Sequence, residues 1–165
     1  MKIAVMSDSH DRWDYLQQAI MIANNKGAEK LLFAGDFISP PGISVIGQFG
    51  GEVIMVWGNN DGEKIGLLEK AKENQVVNIT GDIYEDKIGE INVYMNHYPR
   101  SAEIAAKSKL YNLVIHGHTH QWRVEIIDGI TLLNPGEIQG SRGDVTFALV
   151  ETETLEIEKV FVEQK

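Results

Sequence analysis

The stretch KIAVMSDSH, residues 2–10, sets a pattern that recurs along the chain: an apolar run from Lys2 to Met6 stops abruptly and hands over to Asp8 and His10. Two later runs do the same. Lys30 to Ala34 leads into Gly35 and Asp36, and Val53 to Trp57 leads into Gly58, Asn59, Asn60 and Asp61. Short apolar runs bounded by turn residues and separated by helix-like stretches predict parallel strands in β-α-β units. Between the first two runs, Trp13, Leu16, Ala19, Ile20 and Ala23 recur at helical spacing. Asp11 is placed to cap that helix and Gly27 to end it left-handed. Ser39 before Pro40 and Pro41 suits another helix start, and Ile65 to Gln75 a third helix, although Gly42, Gly47 and Gly66 weaken both.

The second half changes character. Asp86 to Met95 reads as two strands joined near Gly89–Glu90, and Arg123 to Leu133 as a hairpin turning at Asp128–Gly129. Between them Ser101 to Leu110 has helix-favouring composition with a capping serine, and Asn112 to Ile115 is one more apolar strand. The predicted class is therefore α/β, with antiparallel pairs added to a parallel set.

With 165 residues, 43% of them hydrophobic and 24% charged, the chain has the size and composition of one globular domain, residues 1–165. Zero cysteines exclude disulfides, thiolate-bound zinc and thiol catalysis. No signal-peptide pattern or membrane-length apolar stretch is visible, so a cytoplasmic location is expected. The net charge of -9 disfavours a stable nucleic-acid partner. A homo-oligomer is compatible with all of this. The acidic end, residues 151–165, alternates apolar and charged positions, which predicts a half-solvated edge strand without a functional role.

The informative residues follow the strands. Besides the three handovers above, Tyr94 and Met95 lead to Asn96 and His97, and Leu113 to Ile115 lead to His116, Gly117, His118, Thr119 and His120. In open α/β sheets ligands bind at the carboxyl ends of the strands, where the loops converge. All five histidines of the chain fall in these segments. If the backbone there is extended, Asp8 and His10, and likewise His118 and His120, point to one side and can meet one ion. Gly35, Gly58 and Gly117 each precede a candidate ligand, as expected where the backbone turns sharply and approaches the site closely.

Together, Asp8-Ser9-His10, Gly35-Asp36, Gly58-Asn59-Asn60-Asp61, His97 and Gly117-His118-Thr119-His120 resemble the ordered blocks of the calcineurin-like metallophosphoesterase superfamily, in particular its small single-domain bacterial and archaeal phosphodiesterase branch. Asn134-Pro135-Gly136 is similar to the family's Asn-Pro-Gly segment. The resemblance implies two packed mixed β-sheets flanked by helices, with two divalent metal ions at one end. The first would be held by Asp8, His10, Asp36 and His120, and the second by Asp36, Asn59, His97 and His118, with Asp36 bridging. Oxygen and imidazole donors suit manganese, the first expectation, as well as nickel, zinc, iron or cobalt. The implied activity is hydrolysis of a small phosphate ester, a diester first and a monoester as alternative; a non-catalytic metal-binding scaffold of the same fold is the reading from another class.

Two departures bear on the chemistry. Many family members carry histidine where this chain has Asn60, which cannot serve as a general acid, so Asn60 and Asp61 are catalytic-loop candidates without an obvious proton donor. After His97 the chain reads Tyr98-Pro99-Arg100 where a glycine often stands, which makes Tyr98 and Arg100 candidates for substrate contact. Arg142, in the Gly-rich stretch from Gln139 to Asp144, is a third.

Overall fold

The computed structural model describes residues 1–163. Its first sheet is built on strands β1 (Lys2–Met6), β2 (Lys30–Phe33), β3 (Glu52–Val56) and β4 (Val77–Gly81), which run parallel in that order. The second sheet contains β5 (Ile83–Ile88), β6 (Ile91–Asn96), β7 (Leu113–Ile115), β8 (Trp122–Ile127) and β9 (Ile130–Pro135), in the order β5-β6-β7-β9-β8. There β6, β7 and β9 are parallel, and the outer strands β5 and β8 are antiparallel to their neighbours. Finally β10 (Thr146–Glu151) returns to the first sheet antiparallel to β1, and β11 (Ile157–Phe161) forms its edge.

Side-chain alternation along the strands creates the layers. In β1, Ala4 and Met6 face helices α1 (Trp13–Asn25), α2 (Ile43–Ile46) and α3 (Lys64–Asn74), where they pack with Leu16, Ile20, Ile46 and Leu67. Ile3 and Val5 face the other way, into a core between the sheets completed by Val93, Met95, Leu113, Ile115 and Leu133. On the far side of the second sheet, Tyr94, Val114 and Leu132 are covered by Ala102, Ala105 and Ala106 of α4 (Pro99–Lys107). Central strands buried on both faces must be apolar throughout, which is why β1, β2 and β3 read as continuous runs. The result is a helix–sheet–sheet–helix sandwich of two mixed sheets. No helix among the described residues is long and apolar enough to cross a membrane.

The expected elements are present, with shifted ends. Asp11 does not cap α1: it lies at a left-handed φ of 59°, and its Oδ1 accepts bonds from Ser39 N and Oγ at 3.2 and 2.8 Å, tying two loops together. Gly27 does close that helix left-handed, at φ 76°. Ser39 precedes a 3-10 turn (Pro40–Gly42) but makes no side-chain cap. The third helix is stopped by Gln75 at φ 66°. Helix α4 begins two residues before Ser101, because Pro99 has the φ suited to the first helical position and no N–H to leave unpaired. The 128–129 turn has φ 51° and 87°, the type I′ geometry that matches strand twist. Strands β4 and β10 are additions that the sequence reading did not contain. Of the acidic end, β11 forms as an edge strand, while residues 164–165 lie outside the described residues.

Candidate metal centre

The carboxyl ends of β1, β2, β3, β6 and β7 converge on one spot, and β9 adds a sixth segment. Asp8, His10, Asp36 and His120 bring one donor atom each within 4.8 Å of one another. Beside them, Asn59 Oδ1 lies 3.0 Å from His97 Nε2 and 2.8 Å from His118 Nδ1. His97 Nε2 is also 3.4 Å from Asp36 Oδ2, so Asp36 stands between the two groups.

The local path differs from the extended one expected for the Asp8–His10 and His118–His120 pairs. Asp8, His10, Asp36, His118 and His120 all adopt left-handed backbone, at φ 53°, 43°, 59°, 70° and 61°. Such residues cost energy unless their surroundings hold them. Supports are visible for four of them: Asp8 N donates to Gly35 O at 3.0 Å, His10 N to Asp36 O at 3.2 Å and His118 N to Asp8 Oδ2 at 3.0 Å, and Asp36 N is held by Asp61. The Asp61 carboxylate accepts from Gly58 N, Phe37 N and Ile38 N at 2.7 Å each and from Asp36 N at 3.2 Å. Asp61 is thus buried and fully engaged by the backbone, binding the β2 and β3 loops to each other. Gly58 is required at this junction, since a Cβ would sit 2.2 Å from Asp36 Oδ1.

Do these residues fit a cation? The Nδ1–H of His97 donates to Ala34 O at 2.7 Å, and a carbonyl can only accept. With Nδ1 committed to donating, Nε2 faces two oxygen acceptors, Asn59 Oδ1 and Asp36 Oδ2, and needs either a proton or a cation between them. Likewise His120 Nδ1 lies 2.6 Å from Glu137 Oε2, leaving Nε2 3.4 Å from Asp8 Oδ1. His10 Nε2 is buried without a hydrogen bond, 3.4 Å from Asp36 Oδ2. Converging lone pairs, an orphaned imidazole nitrogen and buried carboxylates fit divalent cations.

The titration directions express the same field. Burial pushes the Asp36 carboxyl up, but His10, His97 and the Asn60 N–H outweigh it and hold Asp36 well below the usual carboxylate range. Burial raises Asp8, only partly offset by His97, the Ser7 hydroxyl and His120. His10 is raised by Asp36; His97 is lowered by burial but raised more by Asp36 and Asp8. Imidazoles drawn toward the cationic form mark a spot where positive charge is favourable.

The remaining candidates divide. Asn60 donates from N and Nδ2 to the two Asp36 oxygens, at 2.8 Å each. Tyr98 is 42% exposed and its ring centroid lies 5.3 and 5.5 Å from those of His97 and His118. Arg100 and Arg142 are exposed, and neither side chain forms an ion pair among the described residues. His116 does not join the donors: it is buried behind them, with Nδ1 2.9 Å from Gly117 O, and burial lowers its pKa. Asn134 bonds to Gly117 O and Thr119 Oγ1 at 2.9 Å, bracing the histidine loop from β9. Glu137 was missed in the sequence; the signal available was a carboxylate directly after the Asn-Pro-Gly turn, one more polar residue beyond a strand end.

What gathers at these strand ends is a centre for divalent cations, and the sandwich around it is that of the metallophosphoesterases. Residues 1–155 match the calcineurin-like phosphoesterase superfamily domain, and the chain belongs to that family. It is 35% identical to a phosphodiesterase of Methanocaldococcus jannaschii over 166 residues, covering 99% of this chain and 100% of the relative. A solved archaeal phosphodiesterase superposes with a TM-score of 0.92 at 34% identity, over 98% of this chain and 100% of the other. Yfce, a phosphoesterase from E. coli, shares the fold with a TM-score of 0.69 at 16% identity, over 99% and 100% of the two chains.

Proposed function

We propose that this chain is a metal-dependent phosphodiesterase whose centre takes two divalent ions, manganese first and nickel, zinc, iron or cobalt as alternatives. The observation that carries the proposal is the placement of Asp36 between two sets of inward-facing donors: Asp8, His10 and His120 on one side, Asn59, His97 and His118 on the other. When bound, the ions supply Lewis acidity that activates water and offsets the charge of a phosphate ester. Their positive charge lets an acidic protein accept an anionic substrate.

The chain's own groups do the positioning. Asn60 holds both oxygens of Asp36 and so fixes the shared carboxylate. Asp61 acts through the loops it clamps and has no free oxygen for a reacting atom. Tyr98, beside His97 and His118, together with Arg100 and Arg142, is assigned to substrate contact. No imidazole stands at position 60 to protonate a leaving oxygen, a contribution typically worth about a hundred- to ten-thousand-fold. The enzyme accordingly favours diesters with good leaving groups. The test is hydrolysis of bis-p-nitrophenyl phosphate and p-nitrophenyl phosphate by metal-stripped protein, with manganese, nickel, zinc or nothing added. Faster metal-dependent cleavage of the diester is expected; preference for the monoester would make the protein a phosphomonoesterase, and silence on both with metal bound would leave a scaffold.

A further inference from the structure

Glu137 is 1% exposed, yet no lysine or arginine side chain pairs with it among the described residues. A carboxylate removed from water needs a compensating positive charge or strong donors. Its partners are Arg142 N at 2.6 Å on Oε1, and Ser141 Oγ at 3.0 Å and His120 Nδ1 at 2.6 Å on Oε2. The last contact is the short, charge-assisted kind. It fixes His120 with its proton on Nδ1 and its lone pair on Nε2, the nitrogen that faces Asp8 Oδ1 at 3.4 Å.

The other imidazoles of the centre are held differently. His97 rests its outward nitrogen on the neutral carbonyl of Ala34, and among the described residues no carboxylate touches the outward nitrogen of His10 or His118. A carboxylate behind a ligating imidazole raises its basicity and orients its ring, typically to the extent of about ten- to a hundredfold in metal affinity. The same side chain also ties down the loop that carries Arg142.

We infer that Glu137 is a positioning residue of the metal centre: it makes His120 an Nε2 donor and makes the Asp8–His10–Asp36–His120 group the tighter of the two cation sites. This rests on the metal-centre reading above and deepens it. The experiment is calorimetric titration of metal-stripped protein with manganese chloride, wild type beside Glu137→Gln. Two binding events are expected in the wild type, and the variant should weaken the tighter one by about ten- to a hundredfold while the looser one shifts by less than about threefold. Equal weakening of both events, or no change, would overturn the inference and leave the metal centre standing. Failure of the wild type to bind any ion would instead overturn the metal-centre reading, and the inference with it. Should the variant not fold, nitrogen-15 NMR of zinc-loaded wild-type protein decides: a protonated, strongly hydrogen-bonded Nδ1 on His120 is expected, and metal ligation through Nδ1 would overturn the inference.

Discussion

The two halves of the centre are made differently. Asp8, His10, Asp36 and His120 are sunk into the protein, with side chains 0%, 18%, 1% and 7% exposed. Across Asp36, only His97 is buried, while Asn59 and His118 stand open to solvent. The sunken half has two carboxylates and a third behind His120; the open half contributes a neutral amide and two imidazoles and shares Asp36. Charge in a desolvated pocket interacts more strongly than charge in water. The contrast therefore separates a desolvated, carboxylate-rich half from a solvent-open half of neutral donors.

The largest expected effect comes from the residue common to both halves. Asp36→Asn should lower diester hydrolysis by about a thousandfold or more, the upper range for removing one preorganised electrostatic group. Its circular dichroism spectrum should match the wild type, and retained activity would break the idea of a shared carboxylate. Asp61→Ala leaves three buried N–H donors, those of Asp36, Phe37 and Gly58, and the part-buried one of Ile38 without their acceptor. At about 1–3 kcal/mol for a group left unsatisfied, and with some donors finding water, urea titration of metal-free protein should show a loss of roughly 3 kcal/mol.

Comparison of His10→Ala with His118→Ala sharpens the contrast further. In metal titrations the first should weaken the tighter site by at least about tenfold, and the second only the looser site; the reverse pattern would invert the assignment of the two halves. Smallest is Tyr98→Ala, which removes a ring from the open rim. It should raise KM for the diester a few-fold, on the order of 0.5–1.5 kcal/mol for an exposed aromatic contact, with metal affinity unchanged.

Strands β1, β2 and β3 were legible because burial on both faces forces continuous apolar runs that end where the ligands begin. Strand β4 was not: Val77–Gly81 mixes one buried residue with exposed Asn78 and Thr80, as an edge strand can. The gathering of histidines at strand ends likewise told where the centre lies. The left-handed turns at Asp8, His10, Asp36 and His118 could not be read locally, because their N–H groups are held by Gly35 O, Asp36 O, the Asp61 carboxylate and the Asp8 carboxylate, groups distant in sequence. Glu137 escaped for a related reason: its partner is 17 residues earlier and meets it only once β7 and β9 pair. The capping role expected of Asp11 failed because a neighbouring loop competes for the same oxygen.

The proposed ligands sit at strand ends beside the packed cores, whereas Tyr98 precedes α4, Arg100 lies in its first turn and Arg142 stands on an exposed loop. On the proposed assignment, a change of rim side chain alters which ester is accepted while the strand-end donors stay in place.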